Sequence, residues 1–323
     1  MTALVTGASG FLGLHLVRAL LDEGRRVVAL ARDSAPLSAL RHPALEVASG
    51  DLRDPASYSP WLASGSSVFH LAAVRGQPRN RGREMEEVNV GVTAELARRC
   101  LEAGVGRFVH VSTALNHGTD GGDAPLSLYL ETKARAVREV QRLAGLGLPA
   151  VVVSPGIVFG PDHPSHPNRV TSEIRRLLRQ RVVRVVGGGR QMRNLVYVDD
   201  VIRGLLAAER RGAVGEEYLL GGEEVAPRDF GRLVLSLAGR RSLATLSLPA
   251  GPALLLARLG DRLRGSDLGS GYSTALQMLL HEWSFSSERA RRDLDYRALP
   301  LVEGLTRTID WLRKSLDGRP PIE

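Results

Sequence analysis

Cysteine occurs once in the 323 residues, at Cys100. A lone thiol excludes an internal disulfide and a cysteine metal cluster and leaves no second member for a redox pair, so a reducing cytoplasm is the expected compartment. Lysine is almost as scarce: of 43 basic side chains only Lys133 and Lys314 are lysine, and all the others are arginine. Long apolar runs are missing too. The richest, "LPAGPALLLARLGDRL" (248–263), is broken by arginine and aspartate and falls short of a bilayer span, which predicts an ordinary core helix and no membrane partner. The chain opens "MTALVTGASGFLG", going directly into a glycine turn without a basic and apolar leader pattern, which again favours the cytoplasm. Metal-ligand spacings, internal repeats and low-complexity tracts are likewise not found, and no metal is expected.

A net charge of +8 and a pI near 10.3 raise nucleic acid as a partner. The arginines are spread along the whole chain, however, and reflect a compositional preference, so no nucleic acid is expected. The densest run, "RRLLRQRVVR" (175–184), is expected to turn a charged helix face to water.

What is present is enough apolar residue (43%) and length for a large α/β core. Short apolar runs alternate with helical patterns. Strands are predicted at 3–7, 26–32, 45–51, 67–73, 107–113 and 150–156, with helices near 11–24, 84–103 and 127–145. Six strands with helical crossovers predict an α/β fold, a doubly wound parallel sheet of Rossmann type. After residue 156 the texture becomes interrupted and mostly helical, predicting a dinucleotide-binding domain over 1–165 and a smaller substrate domain over 166–323, with segments near 190–222 returning to the first.

Gly7, Gly10 and Gly13 stand between the first strand and the first helix as G-x-x-G-x-x-G. Glycine is required where the backbone must take positive φ or approach a pyrophosphate, and the helix start then supplies N–H donors and positive dipole. Dinucleotide sites for NAD place an acid about 20 residues further on, at the end of the second strand. Here the strand ends "ALARDS": Ala31 leaves room for a 2'-phosphate and Arg32 can grip it through its planar fork. NADP(H) is therefore favoured over NAD(H), with Asp33 as a neighbour able to recapture the arginine. Asp51 and Leu52 close the third strand at the cofactor edge, where the carboxylate either accepts from adenine or only caps a turn.

Tyr129 and Lys133 lie at i and i+4 in "LYLETKAR", on one face of a predicted helix. A nearby ammonium favours phenolate and makes tyrosine a usable proton donor and acceptor. Lysine, a compact charge, suits that task and can also hold ribose hydroxyls. Thr113 ends the fifth strand at the ligand-binding edge, where its hydroxyl, or that of Ser112, can hydrogen-bond a substrate oxygen. A solvated lysine beside a half-buried tyrosine, and a strand-end hydroxyl that caps a turn, are the plain alternatives.

Together "TGASGFLG", "GDLRD", "FHLAA", "VNVGVT", "HVSTA", "YLETK", "SPGIVFGP" and "GGGRQMRNLVYVDDV" make the chain resemble the extended short-chain dehydrogenase/reductase family over nearly its whole length. The resemblance implies a catalytic Thr113, Tyr129 and Lys133. It also implies cofactor contacts from Ser9, Phe11 and Leu12 in the turn, from Leu71, Ala72, Ala73 and Asn89, and from Pro155, Gly156 and Val158 along the nicotinamide. Asn89 either supports a water relay to Lys133 or caps a helix start. On the substrate side it implies Arg75, Asn116, Asn168 and Arg193, the last matching the residue that grips a sugar nucleotide's diphosphate. A homodimer through the helices near 84–103 and 127–145 is implied in the same way.

Departures narrow the reaction. Relatives that dehydrate sugars carry an Asp-Glu pair after the catalytic threonine; Ala114 and Leu115 occupy those places here. Ser154 stands where many relatives have arginine and His117 where many have tyrosine, and Gly118, Gly121 and Gly122 suggest an open rim. The leading expectation is an NADP(H)-dependent nucleotide-sugar 4-ketoreductase or epimerase acting on a small-molecule substrate. The alternatives are a reductase of a hydrophobic ketone, resembling dihydroflavonol reductases and 3β-hydroxysteroid dehydrogenases, and a cofactor-binding sensor without turnover.

Overall fold

The computed structural model describes residues 2–75, 82–117, 126–264 and 271–316. The β-branched runs of the first half form strands β1 (Thr2–Thr6), β2 (Arg26–Ala31), β3 (Leu45–Ser49), β4 (Ser67–His70), β5 (Arg107–Val111) and β6 (Ala150–Pro155). They are joined by helices α1 (Phe11–Asp22), α2 (Gly82–Met85), α3 (Thr93–Glu102) and α4 (Leu128–Ala144). Beyond them lie β7 (Ile157–Phe159), α5 (Arg169–Gln180), β8 (Val182–Val186), β9 (Arg193–Tyr197), α6 (Val198–Arg211) and β10 (Glu217–Leu220). The chain closes with β11 (Glu223–Val225), α7 (Pro227–Leu237), β12 (Ala244–Leu248), α8 (Ala250–Arg264), α9 (Tyr272–Leu280), α10 (Glu288–Leu294) and α11 (Leu301–Leu316).

The central sheet has seven strands in the order β10-β6-β5-β4-β1-β2-β3, every neighbouring pair parallel. Strand order reverses between β1 and β4, so the crevice beyond their carboxyl ends is the switch point where open α/β sheets take ligands. The sheet's inner strands are buried on both faces, as in a parallel sheet with helical crossovers, while the edge strand β3 is partly exposed. One core joins Val5, Val27, Val109 and Val151 to α1 and α6 through Leu16, Leu20, Val201 and Leu205. The other joins Leu4, Val68, Phe108 and Val152 to α3 and α4 through Leu96, Cys100, Val137 and Val140. Of the returning segment, β10 enters the central sheet beside β6, whereas β9 pairs with β7 and β11 in a separate three-stranded sheet. The remainder is mostly helical.

Two expectations fail locally. The helix near 84–103 is not one α-helix: residues Glu86–Val92 form a π-helical stretch between α2 and α3. Gly91 weakens regular helix there, and the Asn89 side chain turns inward to bond Val74, a demand the π turn accommodates. The apolar run at 248–263 is not a core helix either. In α8 the side chains of Leu255, Leu256, Leu259 and Leu263 are 60%, 65%, 45% and 88% exposed, and only Ala253 and Asp261 are buried. The basic run behaves as expected, with Arg176 and Arg179 of α5 exposed. The glycines Gly118, Gly121 and Gly122 lie outside the described residues.

Candidate active site

The glycine turn fits a dinucleotide for steric reasons that can be read position by position. Gly7 has φ 67°, and a Cβ on it would stand 2.8 Å from the backbone N of Ala72. A Cβ on Gly13 would stand 2.3 Å from the Gly7 carbonyl oxygen. The turn therefore closes tightly against both α1 and the segment Leu71–Ala73 that follows β4. Gly10 is the N-cap of α1 and supplies no side-chain hydrogen bond. The first N–H groups of α1, from Phe11, Leu12 and Gly13, are left without a capping side chain, with Ser9 beside them, and they suit a pyrophosphate.

At the end of β2 Arg32 is 63% exposed and stands 4.0 Å from Glu84 of α2. Glu84 also stands 3.8 Å from Arg53. Asp33, the competitor that the sequence suggests, instead accepts the N–H of Ala35 at 3.0 Å. Asp51 accepts the N–H of Arg53 at 2.9 Å and holds a turn, and Leu52 packs on the core beneath α3 and α4.

Thr113 emerges from β5 nearly buried, its Oγ1 accepting the N–H of Leu115 at 3.3 Å. Ser127 caps α4 by accepting the Leu130 N–H, which sets Tyr129 in the first turn and Lys133 one turn on. Lys133 is buried, and its Nζ donates to the Val111 carbonyl at 2.6 Å, two residues before Thr113. Burial pushes its amine down to about 7. Burial also pushes the Tyr129 phenol up, opposed by the Arg75 guanidinium. The expected depression of Tyr129 by Lys133 is therefore not what the structure shows. The amine is turned to a backbone carbonyl and burial makes it hold its proton less tightly, while the Arg75 guanidinium is the cation that opposes the rise of the phenol.

Beside Lys133 lie two buried imidazoles that sequence patterning leaves unremarked. His70 sits between Thr6 and Thr93, with Nδ1 2.7 Å from Thr6 Oγ1 and Nε2 2.9 Å from Thr93 Oγ1. His110 stacks on it at 5.5 Å, and both its ring nitrogens lack partners. Burial first, and Lys133 second, push His70 down to about 3 and His110 well below the usual imidazole range. Both rings are neutral at physiological pH. Asn89 is a bracket: its Oδ1 accepts the Val74 N–H at 2.8 Å, and its Nδ2 donates to the Val74 carbonyl and to Thr132 Oγ1, both at 3.1 Å. It is neither a helix cap nor bonded to Lys133.

On the substrate side β9 runs parallel to β7, Leu195 opposite Ile157, which sets Arg193 near the end of β6. Arg193 is buried, 3.3 Å from Glu173 and 5.3 Å over the ring of Phe230, and its Nε and one Nη have no partner. Gly156 is crowded: a Cβ there would meet Phe285 at 2.9 Å. Asn168 is committed to the scaffold, capping α5 through the Thr171 N–H at 3.0 Å and donating to the Val158 carbonyl at 2.9 Å. Asn116 likewise lies between Ser112 Oγ, at 3.4 Å, and the Leu130 carbonyl. Ser154 donates to Glu217 of β10, and His117 meets the same carboxylate at 3.0 Å, which raises its imidazole above the ordinary value. Glu84, Glu173 and Glu217 had no motif to mark them; each is found only through the arginine, serine or histidine it faces.

The chain matches the model of the NAD-dependent epimerase/dehydratase family over residues 3–221. It belongs to that family. Within it, the chain is 28% identical to a 4-hydroxy-2-methyl-3-oxo-4-farnesyl-3,4-dihydroquinoline-1-oxide ketoreductase of Stigmatella aurantiaca, over 92% of each chain. It is 27% identical to a dTDP-4-dehydro-6-deoxy-D-allose reductase of Streptomyces bikiniensis, over 97% of this chain and 96% of that one. The crystal structure of DesIV, a dTDP-glucose 4,6-dehydratase of Streptomyces venezuelae with NAD bound, superimposes with a TM-score of 0.78 at 27% identity, covering 100% of both chains. The family member described here is thus an NAD(P)-dependent enzyme of the extended short-chain dehydrogenase/reductase type, and no helix among its described residues is long and apolar enough to cross a membrane.

Proposed function

We propose that this enzyme is an NADP(H)-dependent oxidoreductase acting at a secondary alcohol or ketone, and that its substrate is a nucleotide sugar reduced or epimerised at C4. The nicotinamide, when bound, supplies or accepts the hydride. Tyr129 exchanges the proton with the substrate oxygen, Thr113 orients that oxygen, and Lys133 holds the ribose. The observation that carries the substrate class is Arg193. A buried guanidinium that meets one carboxylate and leaves its Nε and one Nη without partners is costly, and a diphosphate would satisfy it bidentately. Arg193→Met should raise KM for UDP- or dTDP-sugars about 10- to 100-fold with little change in kcat, the loss of about one or two charged hydrogen bonds. Unchanged kinetics across a panel of both would remove the nucleotide from the reading.

Elimination is not part of it, because Ala114 and Leu115 can neither give nor take a proton. For the cofactor, Arg32→Ala should weaken NADP(H) about tenfold or more while leaving NAD(H) unchanged, measured by quenching of protein fluorescence. A wild-type enzyme that prefers NAD(H) would overturn the choice. Dimerisation through α3 and α4 rests on the family resemblance. Among the described residues their outer sides carry ion pairs, Arg98 with Glu95 and Arg135 with Glu86, so such an interface would be polar.

A second reading, a ketone with a large apolar body, draws on one feature. Glu173 already neutralises part of the Arg193 charge, which lowers its demand for an anion. Turnover of sterols or β-keto acids with no turnover of sugar nucleotides would favour it.

A further inference from the structure

We infer that α8 is a surface-seeking helix that docks this enzyme on an anionic lipid bilayer. The inference goes beyond either reading of the substrate. Leu255, Leu259 and Leu263 recur at i, i+4 and i+8, with Leu256 beside them, and so line one stripe of the helix. All four face solvent, at 45% to 88% exposure. On a folded domain such side chains are expected inward, and a contiguous exposed apolar stripe marks an interaction surface.

The inward side of α8 is accounted for separately. Ala253 is buried, and Asp261 turns in to accept the N–H groups of Tyr272 at 2.6 Å and of Ser273 at 2.9 Å, fastening α9 to α8. The leucine stripe is therefore not a core face awaiting α9. Leu246 and Leu248, at i and i+2 on β12 just before α8, are exposed as well, as is Tyr272 at the start of α9.

Charge selects the occupant. Among the described residues every exposed side chain of α8 belongs to proline, leucine or arginine. Arg258 and Arg262 lie one turn apart along the edge of the stripe and pair with no carboxylate among the described residues. The helix's acid, Asp261, is buried and points away. Leucine stripe, flanking arginines and no outward acid form the pattern of a helix lying in the plane of a bilayer surface, drawn by negative headgroups. A net charge of +8 adds a long-range attraction of the same sign. The helix is too short and too charged to span, so the association is peripheral.

The connection to the site is direct. Past α9, Trp283 accepts at its carbonyl the N–H of Asn194 at 3.1 Å and donates its own N–H to the Met192 carbonyl at 2.9 Å, a bridge beside Arg193. Gln191 donates to the Leu279 carbonyl at 2.6 Å. The docked hairpin therefore sits against the backbone that carries the substrate-side arginine.

The test is co-sedimentation of the full-length protein with vesicles of equimolar phosphatidylcholine and phosphatidylserine, and with pure phosphatidylcholine vesicles. The wild type should partition to the anionic vesicles about tenfold more than to the neutral ones, and salt should release it. L255S/L259S/L263S should lose both associations, and R258E/R262E should lose the anionic preference. Because the substituted side chains are exposed, NADPH binding by fluorescence should be unchanged in both variants, and vesicle binding needs no turnover, so failure here is separable from failure of the proposed function. No partitioning of the wild type, or equal partitioning of the leucine variant, overturns the inference. So does a wild-type dimer that the leucine variant converts to monomer, since the stripe would then be covered by a second copy of this chain.

Discussion

Tyr129→Phe is expected to lower kcat about 10²- to 10⁴-fold while leaving NADPH affinity unchanged, since the ring still packs and only the transferable proton is lost. The phenol's environment also sets the direction of the effect with pH. Burial holds its pKa above the ordinary tyrosine value, so the proton is retained through neutral pH and is available to the alkoxide formed when a ketone is reduced. Reduction should therefore show no limb from Tyr129 around neutrality, whereas oxidation of the alcohol, which needs the phenolate, should accelerate as pH rises. Stopped-flow turnover of the wild type and the variant in both directions measures this. A phenylalanine variant with wild-type turnover would sink the assignment and favour a cofactor-binding protein without catalysis.

Lys133→Met is expected to change the pH dependence of stability even without substrate. The amine is held at about 7 in the folded chain against 10.5 when unperturbed. Below about pH 7 it is charged in both states and the folded chain bears the full cost of a buried charge. Between about pH 7 and the unperturbed value the unfolded chain binds the extra proton, so wild-type stability rises with pH, by at most about 1.4 kcal/mol per unit. Methionine fills a similar volume without charge and removes that slope. The thermal midpoint of the variant should therefore exceed that of the wild type at pH 6, and the gap should narrow by pH 9. Parallel curves would show that the amine stays protonated in the fold through its bond to Val111.

Much of the framework was legible because local rules and the global fold agree. Gly7, Gly10 and Gly13 occupy positions where a Cβ is forbidden or a cap is left open, and no other residue carries that meaning. The Tyr129 and Lys133 spacing needs only a helix. What escaped was set by distant partners. The amine of Lys133 could have faced Tyr129 on the basis of spacing alone; a carbonyl on β5 took it instead. Asn168 and Asn116 have the chemistry of ligand contacts, but Asn168 spends its amide on the open first turn of α5 and on the Val158 carbonyl, and Asn116 lies against the backbone of α4. Glu84 faces Arg32 across 52 positions of sequence, a pairing that no local spacing announces. The leucines of α8 read as core because apolar periodicity states that a face seeks cover, not what covers it.

The π-helical stretch between α2 and α3 has a reach beyond Asn89. An α-helix advances about 100° per residue, so a wide turn that absorbs one surplus residue sets the angular phase of everything before it relative to α3. In this chain what precedes it is Gly82–Met85, which carries Glu84. Deleting one residue within 86–92 would let the helix close into regular α form and swing Glu84 by roughly a quarter turn away from Arg32 and Arg53. A backbone irregularity of one residue thereby sets how close Glu84 stands to Arg32, the arginine we propose for the cofactor's 2'-phosphate.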